Sequence, residues 1–322
     1  MKAILLTSIG DPLDTLKLTD VPAPSAPLKG EAIIRMEYSP VHPIDLMAAR
    51  GGYFIQPELP SILGAEGVGI IESVGPDVAN IKTGDRVTVP PGTYTWAELI
   101  KVPAKELVPI AQDLDVEQIA MLSCNPVTAV LLLDGYVALR KSDWIVLNAG
   151  NSSVANAIIS VAKSRGLKVL AIVRRAEAVY IAKKAGADVV LVESPTVVME
   201  AKKATQGVNI KLGLDAVGGD SAGILANIIG NESHLVAYAI SSGKPMVVGQ
   251  VDLILKNIKI HGFWMYLPQY LPKFANAMQE SIKLIANKKL KIPIAGIYKL
   301  NDIREAVTHT LKGEKVLLDF RK

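Results

Sequence analysis

The sequence predicts an α/β protein in which a doubly wound parallel sheet is inserted into a β-rich, barrel-like domain. Three observations predict it. At 322 residues the chain exceeds a usual single core, so two domains are the natural expectation. Residues up to about 117 are turn-rich and read as short strands punctuated by glycine. From about residue 118 apolar runs alternate with helical stretches of about ten residues, the rhythm of a parallel sheet covered by helices. The β-rich domain is therefore assigned to 1–117 and 262–322, and the parallel-sheet domain to 118–261.

The elements follow in order. A strand over 2–7 opens the chain. Pro22, Pro24 and Pro27 break up an early loop, and 31–38 then alternates as a half-buried strand. Gly64, Gly67, Gly69, Gly75 and Gly84 punctuate strands over 67–75 and 83–89, which suits a small bent sheet. Helices over 116–122 and 126–136 lead into strand 144–148 and helix 153–165. Strand 168–173, helix 176–185, strand 188–192 and a helix near 195–204 come next. Strand 210–215, helix 219–229 and strand 234–240 complete the alternation, and 243–260 is apolar enough to supply an edge strand. An amphipathic helix over 268–288, a helix over 301–312 and a closing strand over 315–320 return to the first domain.

Composition narrows the function. Half the residues are hydrophobic and a fifth are charged, which suits a well-packed core, and no apolar run reaches the length of a membrane span. A net charge of +4, with no basic arm, leaves no nucleic-acid footprint. The N-terminus carries no presequence pattern, so the expected location is cytoplasmic. The single cysteine, Cys124, excludes internal disulfides and multi-cysteine zinc sites, and reads as a buried small hydrophobe. His42, His234, His261 and His309 show no ligand spacing, so no metal is expected.

The most informative stretch is 143–157, a buried strand, a polar loop and the first turn of a helix. Free backbone N–H groups and the helix dipole favour an anion such as a pyrophosphate there. The loop is not G-x-G-x-x-G: only Gly150 is present, with Asn148, Asn151, Ser152 and Ser153 around it. An ordinary βα turn with an asparagine cap fits the same residues. About twenty residues on, strand 168–173 ends in Arg174-Arg175, where an acid would bond the ribose of NAD and an arginine can hold a 2′-phosphate. The pair points to NADPH.

The segments Val41-His-Pro-Ile-Asp45, Arg50-Gly-Gly-Tyr53, Gly64-Ala-Glu-Gly67, Gly84-Asp-Arg-Val87, Asn125-Pro-Val-Thr-Ala129, Asn148-Ala-Gly-Asn-Ser-Ser-Val154 and His261-Gly-Phe-Trp264 carry a resemblance. Along essentially its whole length the chain resembles the zinc-independent medium-chain dehydrogenase/reductase superfamily, and within it the 2-enoyl thioester reductases of mitochondrial type. The Asn-rich loop, Asn-Pro-x-Thr-Ala and Gly-Phe-Trp are the particular features. The resemblance implies a Rossmann domain inserted in a GroES-like barrel domain and reduction of an enoyl-CoA or enoyl-ACP. It also implies a catalytic role for Tyr53 and an NADPH site at Asn125, Asn151, Ser152, Ser153, Val154, Arg174 and Arg175. Tyr238, Ala239, Ile240, Phe263 and Trp264 fall beside the nicotinamide or substrate, and Lys315 near the cofactor. A homodimer is implied on the same ground.

Each residue also has a plain reading. Tyr53 is a turn aromatic after Gly51-Gly52, Phe263 and Trp264 are core at a strand end, and Lys315 is a solvated strand-end lysine. The family pattern is departed from at Ser153 and Ala155, where glycines are usual, at Phe54 after the tyrosine, and at His42 in place of asparagine. Two rival functions stand beside the enoyl thioester reductase: a quinone or small enone/enal reductase, and a non-catalytic NADPH-binding sensor or structural protein.

Overall fold

A computed structural model describes residues 1–53 and 55–321; Phe54 lies outside the described residues. The chain forms two compact units, one from Met1–Cys124 and the segment beginning at Pro293, the other from Asn125–Ile292.

The first unit contains β1 (Lys2–Leu6), α1 (Pro12–Thr15), β2 (Leu16–Asp20), β3 (Glu31–Val41), α2 (Pro43–Ala49), β4 (Ser61–Ile62), β5 (Val68–Val74), β6 (Arg86–Thr88), β7 (Leu99–Pro103), β8 (Val108–Pro109) and α3 (Val116–Ile119). The second contains α4 (Asn125–Asp134), β9 (Trp144–Leu147), α5 (Ser153–Ser164), β10 (Lys168–Val173), α6 (Val179–Ala185), β11 (Val189–Val192), α7 (Val197–Ala204), β12 (Leu212–Asp215), α8 (Gly219–Ile228), β13 (His234–Ala237), α9 (Gln250–Lys256), β14 (Lys259–Gly262) and α10 (Leu271–Ala286). The chain then re-enters the first unit with β15 (Gly296–Lys299), α11 (Ile303–Leu311) and β16 (Val316–Asp319).

The long strand β3 is the spine of the first unit. It pairs with β5 along one edge, and with β7 and β16 along successive halves of the other. Its register with β5 shifts between Ile33 and Ile34 and again between Met36 and Tyr38, bends that curl the sheet β15-β16-β3-β5-β6-β8. A smaller sheet, β2-β1-β4, closes over the same core, in which Ile4, Leu6, Ile34, Met36, Ile71, Val87, Trp96 and Leu318 are buried.

The second unit is a six-stranded parallel sheet ordered β11-β10-β9-β12-β13-β14. Strand order reverses on either side of β9, so the crevice at the carboxyl ends of β9 and β12 is the topological switch point. Central strands buried on both faces read as continuous apolar runs, and Val146, Leu170, Ile172 and Leu235 fill this core. Helix α4 is buried nearly all round, which suits a helix sandwiched between α5 and α10.

The chain divides at 124/125 and 292/293, whereas the sequence placed the second crossing at 261/262. Helix α10 accounts for the difference. Its apolar stripe, Ala277, Met278, Leu284 and Ile285, is buried, and its Glu280 joins Asp134 of α4 in holding Arg165 with bonds of 2.6–3.1 Å. These bonds tie the helix to the parallel-sheet unit.

Candidate cofactor and active site

The polar edge of the second unit is built from the loop after β9. Asn148 is buried and donates its amide to Asp215 Oδ1 at 2.6 Å and Ser221 Oγ at 3.2 Å, while its carbonyl accepts from Ala216 N at 2.7 Å. The loop is thereby pinned to the end of β12, and Asn148 is structural. A Cβ added at Gly150 would lie 2.9 Å from Ala171 Cβ, so only glycine lets the loop run this close to β10. Ser152 caps α5 by accepting from Ala155 N at 3.2 Å. The N–H groups of Ser153 and Val154 are left for a ligand, as at any helix start. Ala155 is fully buried, so the departure from glycine there is absorbed by helix packing.

The parallel register brings other expected residues to the same end of the sheet. Arg174 and Arg175 follow β10, both exposed, and neither has an ion-pair partner among the described residues. By contrast Arg35, Arg86, Arg165, Arg304 and Arg321 each engage a carboxylate. Tyr238 follows β13, with its backbone N–H on Asp215 O at 2.9 Å. Its hydroxyl is buried near Ser152 without a hydrogen bond of ordinary geometry, and burial pushes its pKa up. Ala239 and Ile240 are exposed beyond it. After β14, Phe263 stacks obliquely on Tyr270 at 4.9 Å, and Trp264 meets Tyr266 edge-on at 5.2 Å, so both are half-buried aromatics in contact with neighbours. At the start of α4, Asn125 is buried and its Nδ2 has no hydrogen-bond partner among the described residues. An orphaned buried amide is costly.

The first unit holds Tyr53 and Lys315. Tyr53 lies in the loop after α2, half-buried, and its carbonyl accepts from the Gln56 side-chain amide. Lys315 is no solvated lysine. It is 6% exposed and donates to His42 Nδ1 at 3.0 Å and to Val41 O at 3.3 Å. Burial brings its pKa down to about 8. With Nδ1 accepting, the His42 ring carries its proton on Nε2, 2.8 Å from Glu66 Oε1. Glu66, wholly buried, also accepts on Oε2 from Ser123 Oγ at 2.9 Å and from Cys124 N at 2.8 Å.

Local chain geometry fixes this network. Asp45 closes the first turn of α2 by accepting from His42 N at 2.8 Å, and burial raises its carboxyl to about 7. Gly64, at φ +102°, lets the chain pass Trp96 and Thr95, where a Cβ would come within 2.4 Å. Ser39 and Thr95 bind the Glu66 carbonyl at 2.8 and 2.9 Å. Burial, then Glu66, push the Cys124 thiol well up. The sequence offered Glu66 and Asp45 only as parts of general motifs. The partners of the Glu66 side chain stand 24 to 58 residues away, and no local spacing announces them. His234 and His261, which show no spacing either, meet across β13 and β14 with ring nitrogens 2.9 Å apart.

Comparison with known proteins agrees with this architecture. The family model for the alcohol dehydrogenase GroES-like domain matches residues 28–112, and that for the zinc-binding dehydrogenase matches 153–286. A mitochondrial enoyl-[acyl-carrier-protein] reductase of Dictyostelium discoideum is 29% identical, covering 99% of this chain and 95% of the relative. One of Caenorhabditis elegans is 31% identical, covering 98% and 94%. Among solved structures, the Etr1p/NADP/crotonyl-CoA complex shares the fold at TM-score 0.90 with 24% identity over 99% of both chains. A mycobacterial protein complexed with NADPH gives 0.88 and 26%, covering 99% of this chain and 100% of the other. A protein assigned as an NADPH:quinone reductase from Bacillus thuringiensis gives 0.87 and 25%, covering 99% and 98%.

These relatives correct the expected cytoplasmic location. The curated reductases from Dictyostelium discoideum, Caenorhabditis elegans and Bos taurus are mitochondrial, which overturns the cytoplasmic expectation. The cytoplasmic expectation rested on a missing presequence pattern, and a missing address specifies no compartment.

Proposed function

Because the chain belongs to the medium-chain dehydrogenase/reductase superfamily and, within it, to the enoyl reductases, we propose that it delivers hydride to the β-carbon of a trans-2-enoyl thioester borne on CoA or acyl carrier protein. It is an NADPH-dependent oxidoreductase acting on a carbon–carbon double bond. The observation that carries the thioester assignment is the match, over nearly the full length of both chains, to enoyl-[acyl-carrier-protein] reductases.

The residues fit the cofactor. The orphaned Asn125 amide and the Arg174–Arg175 cations are polar groups without partners among the described residues, and the open start of α5 suits a pyrophosphate. In this reading Asn151, Ser152, Ser153 and Val154 line the phosphates and Arg174 and Arg175 hold the 2′-phosphate. Asn125, Tyr238, Ala239, Ile240, Phe263 and Trp264 border the nicotinamide, and Lys315 falls near the cofactor. NADPH, when bound, supplies the hydride. The protein must then stabilise charge that builds on the thioester oxygen and see a proton to Cα. Tyr53 does the first by donating its phenolic hydrogen bond as the enolate forms, and passes a proton directly or through water. Trp264 offers an apolar wall for the acyl chain.

The homodimer belongs to the same reading. Strand β14 ends the sheet with β13 as its only neighbour among the described residues, and Val251, Ile254 and Leu255 of the preceding α9 are 69–76% exposed. An unpaired strand edge next to an apolar helix face suits pairing with a second copy.

The likeness to the quinone reductase keeps one rival in play. The deciding assay compares crotonyl-CoA, 1,4-benzoquinone and a free enone with NADPH. Dominant thioester turnover is expected, and Tyr53→Phe should lower it by about a hundredfold or more with NADPH affinity nearly unchanged. Strong quinone turnover with negligible thioester turnover reverses the assignment, and NADPH binding without turnover of any acceptor leaves a sensor.

A further inference from the structure

The model that matches 153–286 is named for zinc, and one cluster in the first unit has the donors a transition metal asks for. A His42 ring nitrogen, a Glu66 oxygen and Cys124 Sγ all lie within 4.8 Å of one another. Imidazole, carboxylate and thiolate are each established zinc ligands. The donors as they stand do not fit an ion, because the nitrogen and oxygen donors are already committed.

His42 has no lone pair to give. Its Nδ1 accepts from the Lys315 ammonium at 3.0 Å, and its Nε2 holds the proton shared with Glu66 Oε1 at 2.8 Å. Two ligands of one tetrahedral zinc stand about 3.3–3.8 Å apart, so the 2.8 Å contact is a hydrogen bond with no room for an ion between. Glu66 is engaged on both oxygens as well: Oε1 takes the imidazole, and Oε2 takes Ser123 Oγ and Cys124 N. Cys124 lies beside them with its own backbone N–H already on Glu66 Oε2 at 2.8 Å.

We propose that the Lys315 ammonium is the resident cation of this cluster, so that the native protein excludes zinc there, and that removing the ammonium turns His42, Glu66 and Cys124 into a metal site. The inference is independent of the substrate assigned above. Loss of Lys315 frees His42 Nδ1 to take a proton, so that Nε2 can ligate. It also removes the positive charge from a pocket that retains Glu66 and Asp45, and a divalent ion restores the balance.

The test uses the full chain and metal ions alone. Zinc is titrated against a chromophoric chelator into the native protein, Lys315→Met, and Lys315→Met with Cys124→Ala. Cobalt(II) then reports sulfur ligation through its thiolate charge-transfer absorption. The native protein is expected to take no zinc at this cluster and to show no cobalt–thiolate band. Lys315→Met should bind one equivalent at least about a hundredfold more tightly, with the band present, and the double variant should lose both.

Stoichiometric zinc and a cobalt–thiolate band in the native protein overturn the proposal, as does a folded Lys315→Met that binds no better than the native chain. Should Lys315→Met fail to fold, the native protein decides alone through the nitrogen resonances of His42. The Nε2–H tautomer unmoved by excess zinc supports the proposal, and a zinc-dependent shift refutes it.

Discussion

The buried cluster of the first unit and the open edge of the second use polar residues in opposite ways. In the cluster Glu66, His42, Lys315 and Ser123 are partnered by other protein groups, and burial or charge shifts the titration of His42, Asp45, Cys124 and Lys315. At the sheet edge Arg174 and Arg175, and at the start of α4 Asn125 Nδ2, have no partner among the described residues. A saturated network answers to its own chain, so changing one member costs stability. An unsaturated edge answers to a ligand, so changing it costs binding.

The sharpest way to break this contrast is Glu66→Gln. A glutamine amide must turn its NH2 toward either the His42 N–H or the Ser123 and Cys124 donors, donor against donor, and Lys315 loses its counter-charge. Breaking a buried pair from one side costs about 3–5 kcal/mol. Urea denaturation at neutral pH should show a loss of that size, and a variant as stable as the native chain would mean the network holds nothing together.

Arg174→Ala with Arg175→Ala probes the other side. Stability should stay within about 0.5 kcal/mol of native, as for exposed side chains without partners. The KM for NADPH should rise about 10–100-fold while that for NADH barely moves, because only the charge-assisted bond to the 2′-phosphate is lost. A native preference for NADH would dissolve the argument.

The same contrast governs how much was legible in the sequence. The parallel strands could be read to within a few residues: 168–173 is β10 itself, and 144–148 and 210–215 contain β9 and β12. Strands buried on both faces declare themselves as apolar runs. The edge residues were legible because they follow directly on those strands. The cluster was not, since it joins residues 42, 66, 123, 124 and 315 through contacts up to 273 positions apart. Lys315 read as a solvated strand end because a buried lysine has no local signature. Helix α10 was placed in the wrong unit for a related reason: its amphipathic stripe announces a helix but not the surface it covers, which here is set by Arg165 and α4.

The smallest effect expected is also a pairing invisible in the sequence. His234 and His261 lie 2.9 Å apart at their nitrogens, with Tyr136 tilted against His261 at 4.8 Å and the Lys259 ammonium nearby. Burial first, then the neighbouring positive charges, hold both imidazoles below their ordinary value of 6.5. The sign follows from proton counting. Below pH 6.5 the unfolded chain binds protons that the folded pair resists. The stability this pair contributes is therefore complete above that pH and lost as pH falls from it toward the folded values. His234→Gln with His261→Gln should leave the melting temperature at pH 7.5 little changed and flatten its decline between about pH 6.5 and 5. His42, also held below its ordinary value, keeps a residual slope in both proteins. An undiminished decline in the double variant would show that the two rings titrate alike in the folded and unfolded chain, and that their contact carries no charge coupling.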